Sequence, residues 1–123
     1  MFCQIANFKE VFRTAEGTVF QCNNKNCYWL DFAGQQTAFR VSDFMAFKRQ
    51  VDQIDLDAMI GDPSPGADCA VIMPTGSSRC FVLDVYGILD LKELLTGAKY
   101  LIELNSLIRS AALSCELTPN YLD

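Results

Sequence analysis

At 123 residues, half of them apolar, the chain is long enough for one domain with its own core, and a single domain over 1–123 is the expectation. Ten basic against fifteen acidic residues leave a net charge of −5, which opposes phosphate backbones and anionic membranes over most of the surface. No histidine is present, which removes Ser–His and Cys–His nucleophile pairs, histidine metal sites and an imidazole base together.

The first residues, MFCQIANFKEVFR, lack a basic segment followed by an apolar core, and no apolar run approaches the length of a membrane span. A cytoplasmic protein without a membrane partner is expected. Residues 8–21 read as a hairpin, with Val11 and Val19 as strand formers on either side of Gly17. The asparagine-rich turn CNNKN leads into a strand, CYWLDF, at 27–32. A turn at Gly34, Gln35 and Gln36 precedes the strand TAFRV, and Ser42 is placed to cap a helix that carries Phe44, Phe47, Val51 and Ile54 on one face.

Two prolines and two glycines make GDPSPGAD, residues 61–68, a linker. Strand, turn and strand then recur as CAVIMP, TGSS and RCFVL, and Asp84 is placed to cap a long helix reaching Leu113. Cys69 and Cys80 fall inside apolar runs, where a cysteine behaves as a small buried hydrophobe. At an offset of 42 without a gap, Cys27 aligns with Cys69, Gly34 with Gly76, Phe39 with Phe81 and Ser42 with Asp84. The aligned roles predict a duplicated ββα unit, 27–60 and 69–113.

On the long helix, Leu91, Leu94, Ala98, Leu101, Ile108 and Ala112 form an apolar row that only Asn105 interrupts, and Ile88, Leu95 and Ile102 form a second row beside it. A helix apolar around most of its circumference needs cover on more than one side. The sheet supplies one side, and a second copy of the chain is the expected other, with Leu101, Asn105 and Ile108 at the contact. Gly97 either ends a first helix or marks a close approach by another backbone.

The run TVFQC, the polar knuckle, CYWLDFAG, SDF and LLTGAKYLIELNSLIRSAAL together resemble a family of small uncharacterised proteins from Bacteroidota bacteria, over roughly residues 18–113. In that family two residues separate two cysteines, as in a zinc knuckle, whereas four separate Cys22 and Cys27 here. The resemblance implies a fold unit and carries no activity.

Cys22 and Cys27 are the one local thiol pair and the candidate metal ligands; Cys3, Cys115 or an acidic side chain would have to complete a tetrahedral zinc site. Asp52, Asp55, Asp57 and Asp62 form the densest acidic cluster, but a calcium loop from Asp55 would place Met59 and Ile60 where an oxygen ligand and a glycine belong. PTGSS lacks the lysine and the following helix of a phosphate loop. Among the aromatic residues of the third strand, Tyr28 alternates away from Trp29 and is expected at the surface together with Asp31. The expected fold is α+β: an antiparallel sheet of about six strands from an N-terminal hairpin and two ββα units, with the long C-terminal helix packed on one face. The expected function is non-enzymatic, through self-association as a homodimer or contact with an unknown protein partner, with no catalytic residue and no cofactor. A zinc-knuckle module using Cys22 and Cys27 is the alternative, and a carboxylate-based hydrolase stands behind it.

Overall fold

The computed structural model describes residues 8–22, 27–74 and 79–115, the last three of these by backbone alone. Alternating apolar residues and short turns give β1 (Phe8–Arg13), β2 (Gly17–Cys22), β3 (Cys27–Phe32) and β4 (Gln35–Arg40), followed by α1 (Val41–Asp52), α2 (Leu56–Gly61), β5 (Cys69–Ile72), β6 (Phe81–Asp84) and α3 (Val85–Cys115). The expected α+β class is present, with one difference. β1 to β4 form an antiparallel meander in chain order, while β5 and β6 pair only with each other, so the six strands make two sheets. β4 passes into α1 without an intervening loop. The second hairpin instead turns Ile72, Phe81 and Leu83 into the shared core, with the ring of Phe81 5.6 Å from that of Phe47.

Strand register assigns each face of the larger sheet. Val19 lies opposite Leu30, which lies opposite Thr37, and Gln21 lies opposite Tyr28, which lies opposite Phe39. This is the face that the helices cover: α3 packs over β1 and β2, and α1 over β3 and β4. Phe44, Phe47 and Val51 of α1 and Ile88, Leu91, Leu94, Leu95 and Ala98 of α3 are fully buried there. Each of these side chains larger than that of Ala98 contributes about 1.5–3 kcal/mol by leaving water. Ile88 and Leu95 belong to the row expected to need a second copy of the chain, and the chain covers them itself.

Gly97 lies in the middle of α3, and the helix continues through it. A Cβ there would stand 2.3 Å from Cε2 of Phe12, so the close neighbour is an aromatic ring of β1 rather than a backbone. Gly17 faces the same crossing from the sheet: its Cβ would meet the Asp31 carbonyl at 2.6 Å and Leu94 Cδ2 at 2.9 Å. These two glycines let α3 approach the sheet closely where it crosses β1 and β2.

Helix starts divide by chemistry. The Asp84 carboxylate accepts a hydrogen bond of 2.8 Å from the Gly87 N–H and caps α3, as its position predicts. Ser42 does not cap α1, because the helix begins one residue earlier at Val41; Arg40 occupies the N-cap and makes no side-chain cap. α2 was not expected. It exists because Asp55 accepts a hydrogen bond from the Ala58 N–H at 3.0 Å, giving one of the clustered acids a capping role. In the segment expected to be a linker, Asp62 accepts from the Ser64 N–H at 2.9 Å, and that bond holds the carboxyl below its ordinary pKa.

The two strand–strand–helix units are not in gapless register. Cys27 faces Arg40 thirteen positions on, whereas Cys69 faces Asp84 fifteen positions on, so equivalent partners in the second unit are two residues further apart. The α1 N-cap is likewise Arg40 and not Ser42. Gly76, the expected counterpart of Gly34, lies outside the described residues.

Gly97→Ala tests the crossing. On helix propensity alone alanine would stabilise α3 by about 1 kcal/mol. Against Phe12 the expected outcome is a loss of about 1–3 kcal/mol in urea denaturation, reversing to a gain when the same change is made in a Phe12→Ala background. The β3–β4 turn gives a second test. It has two residues, Ala33 and Gly34, with φ of 55° and 74°, the signs a type I′ hairpin turn requires. Alanine is strained in that region, and Ala33→Asn should raise stability by about 0.5–1 kcal/mol with an unchanged m-value.

Candidate functional site

The side of the larger sheet away from the helices carries a second, smaller apolar cluster. Cys22 and Cys27 are direct cross-strand partners at the open end of β2 and β3, both are buried, and Phe8 and Trp29 pack on them. Phe8 lies 5.8 Å from Trp29 and 6.2 Å from Phe20, ring centre to ring centre. The two thiols expected to be neighbours are therefore neighbours. Among the described residues, however, no group of three or more cysteine or acidic side chains is placed to hold a metal ion. Cys3 and the side chain of Cys115, which a four-ligand site would call on, lie outside the described part.

Cys69 and Cys80 correct the expectation that they are buried, since both are exposed. In β5 and β6 the alternation sends Ile72, Phe81 and Leu83 inward and leaves Cys69, Val71 and Val82 on the outer side. An apolar run in a two-stranded sheet is half solvent-facing, which composition alone does not reveal.

Tyr28 is a second correction. It alternates with Leu30 and Phe32 on the face under the helices, is 5% exposed, and packs 5.1 Å from the Phe44 ring. Trp29, half-buried, is the β3 aromatic residue that lies on the outer face, beside Phe8. For the carboxylates, the displaced titration that the structure shows is that of Asp62, and it is downward, opposite to what a general acid requires. Asp52 pairs with Lys48, Asp55 caps α2 and Asp62 accepts from the Ser64 N–H, so three of the four clustered acids have structural partners.

The three interface candidates on α3 separate. Leu101 is half-buried, Ile108 is 56% exposed, and Asn105 turns toward the chain's own sheet. Asn105 belongs with Ile102, Ser106 and Arg109, at i, i+3, i+4 and i+7 spacing on one helix face. Together with Gln21, Tyr28 and Val41, these four line a cleft of about 330 Å³ between the sheet end, the start of α1 and α3. Burial pushes the Tyr28 phenol above its ordinary pKa, and the Arg109 guanidinium draws it partly back down.

Beyond Ala98, α3 loses its cover. Tyr100 is 64% and Leu107 69% exposed, and with Leu104, Ile108 and Ala111 they form an apolar stripe on the side away from the cleft. The expectation of an apolar α3 was right in composition, yet it did not distinguish which turns the chain covers itself. Among the described residues no helix is long and apolar enough to cross a membrane.

Thiol labelling checks the placement of the cysteines. With site-resolved mass spectrometry of the native protein, Cys69 and Cys80 should be modified at least tenfold faster than Cys22 and Cys27, whose burial makes labelling wait for local opening. Comparisons with protein-family models, with curated proteins and with solved structures find no match to this chain.

Proposed function

We propose that the protein is a non-enzymatic cytoplasmic module that acts through self-association, as a homodimer joined by the C-terminal half of α3. The observation that carries this reading is the stripe of Tyr100, Leu107, Ile108 and Ala111, exposed in the single chain with the half-buried Leu104 among them, although it continues the helix that forms the core. From Tyr100 to Cys115 the helix runs for about 24 Å at 1.5 Å per residue. Two such halves packed antiparallel about a twofold axis cover each other, because each presents the same surface. Apolar patches of this continuity on a small soluble domain mark contact sites. Leu101 lies at the edge of the stripe, and Asn105 lies on the cleft side and is outside the contact.

Leu107→Glu is the decisive substitution, because its side chain is already exposed in the monomer and the change leaves the core alone. The wild type should scatter light as a particle of twice 13.7 kDa at micromolar concentration. Leu107→Glu should weaken the dimer at least tenfold, about 1.4 kcal/mol, with an unaltered far-ultraviolet circular dichroism spectrum. A wild-type mass of 13.7 kDa across the accessible concentration range would end the proposal.

A further inference from the structure

The cleft beside α3 has the chemistry of a ligand site. Its polar lining consists of the Gln21 and Asn105 amides, the Tyr28 and Ser106 hydroxyls and the Arg109 guanidinium, and no carboxylate is among them. In a chain of net charge −5 this is a concentration of donors around a single cation. Tyr28 is 5% exposed and lines the cleft, and its hydroxyl makes no hydrogen bond among the described residues. Arg109 makes no ion pair among the described residues either, and it lies close enough to Tyr28 to influence the phenol's titration. Val41, the first residue of α1, brings to the same wall a helix start that has no side-chain cap, so its first N–H groups lack a side-chain acceptor. Asp43 sits in that first turn and offsets part of the helix dipole, which leaves Arg109 as the principal positive charge.

We propose that this cleft binds a small organic monocarboxylate, with the carboxylate held by Arg109 and Tyr28 and its apolar body against Val41 and Ile102. The planar guanidinium offers two parallel N–H groups that match the two oxygens of a carboxylate. Asn105 and Gln21 bound the site and supply further donors. A phosphate dianion would bring twice the charge to a site with one cation, inside a protein whose overall field repels it. The volume of about 330 Å³ admits a molecule of a few carbons and excludes a polymer.

The test is a titration of the full chain with sodium butyrate at constant ionic strength, read at the Arg109 side-chain Nε–Hε resonance by nitrogen–proton correlation spectroscopy. The expected result is a saturable shift that butylamine and sodium chloride do not produce. Arg109→Gln should weaken the affinity, read at the Gln21 amide, by at least tenfold. Tyr28→Phe, which keeps the ring against Phe44, should weaken it severalfold with an unchanged unfolding midpoint. A linear, unsaturated shift, an equal response to chloride, or a Tyr28→Phe protein that binds as the wild type does would overturn the assignment. Inorganic phosphate binding as tightly as butyrate would show a general anion site and overturn the monocarboxylate reading.

Discussion

The close crossing of α3 over β1 and β2 is the contact on which the rest of the structure depends. At Gly97 the Phe12 ring occupies the space a side chain would take, and at Gly17 the Asp31 carbonyl and Leu94 do the same from the sheet side. Because neither glycine holds the elements apart, Ile88, Leu91, Leu94, Leu95 and Ala98 reach full burial against strands that offer only one covered face. Glycine within a helix costs about 1 kcal/mol relative to alanine, and several fully buried apolar side chains at about 1.5–3 kcal/mol each outweigh that cost. The crossing also determines where α1 can lie: it occupies the remaining half of the same face, over β3 and β4, and closes the core through the rings of Tyr28, Phe39, Phe44 and Phe47.

Much of this architecture was legible from the chain because its signals are local. CYWLDF is a strand to the residue, the two strands of the first hairpin flank the expected turn, and Asp84 caps the helix that follows it. What was not legible depends on partners distant in sequence. The exposure of Cys69 and Cys80 follows from the expected β5–β6 hairpin forming a sheet of its own instead of joining the larger one, a separation that no short-range pattern specifies. The side of the sheet to which Tyr28 points follows from which face the helices cover; alternation places Tyr28 and Trp29 on opposite faces without saying which face is inside. α2 was missed because its six residues are too few for a periodic signal, and its Asp55 cap lay in a run that reads equally well as solvated acids. The cleft was missed for the same reason as Tyr28. Of its lining, Asn105 drew notice as a polar break, but Gln21 and Arg109 meet it only once the sheet end and the helix are in place.

The acidic surface bears differently on the two features of α3. Between two copies, like net charges repel over about 10 Å at moderate ionic strength, so an apolar stripe has to supply the attraction and added salt favours the pair. At the cleft the same background field acts against any anion, and a single guanidinium offsets it only locally. Selectivity there depends on hydrogen-bond geometry more than on charge.

The apolar excess of α3 therefore has two separable causes. Up to Ala98 the helix is apolar on two adjacent rows because the sheet lies under one and α1 beside the other, and both rows are satisfied inside one chain. From Tyr100 onward the same periodicity continues with less to cover it, since the helix extends past the strands; Ile102 and Asn105 still face the sheet end, while Leu104, Leu107 and Ile108 do not. A helix that served only the core would be expected to turn polar on its free side where the cover ends, as amphipathic surface helices do. This one becomes polar on the cleft side, with Asn105, Ser106 and Arg109, and stays apolar on the opposite side. That inversion is difficult to reconcile with solvent as the final environment of the stripe, and it is the reason to look for the partner on that side of the helix and for the ligand on the other.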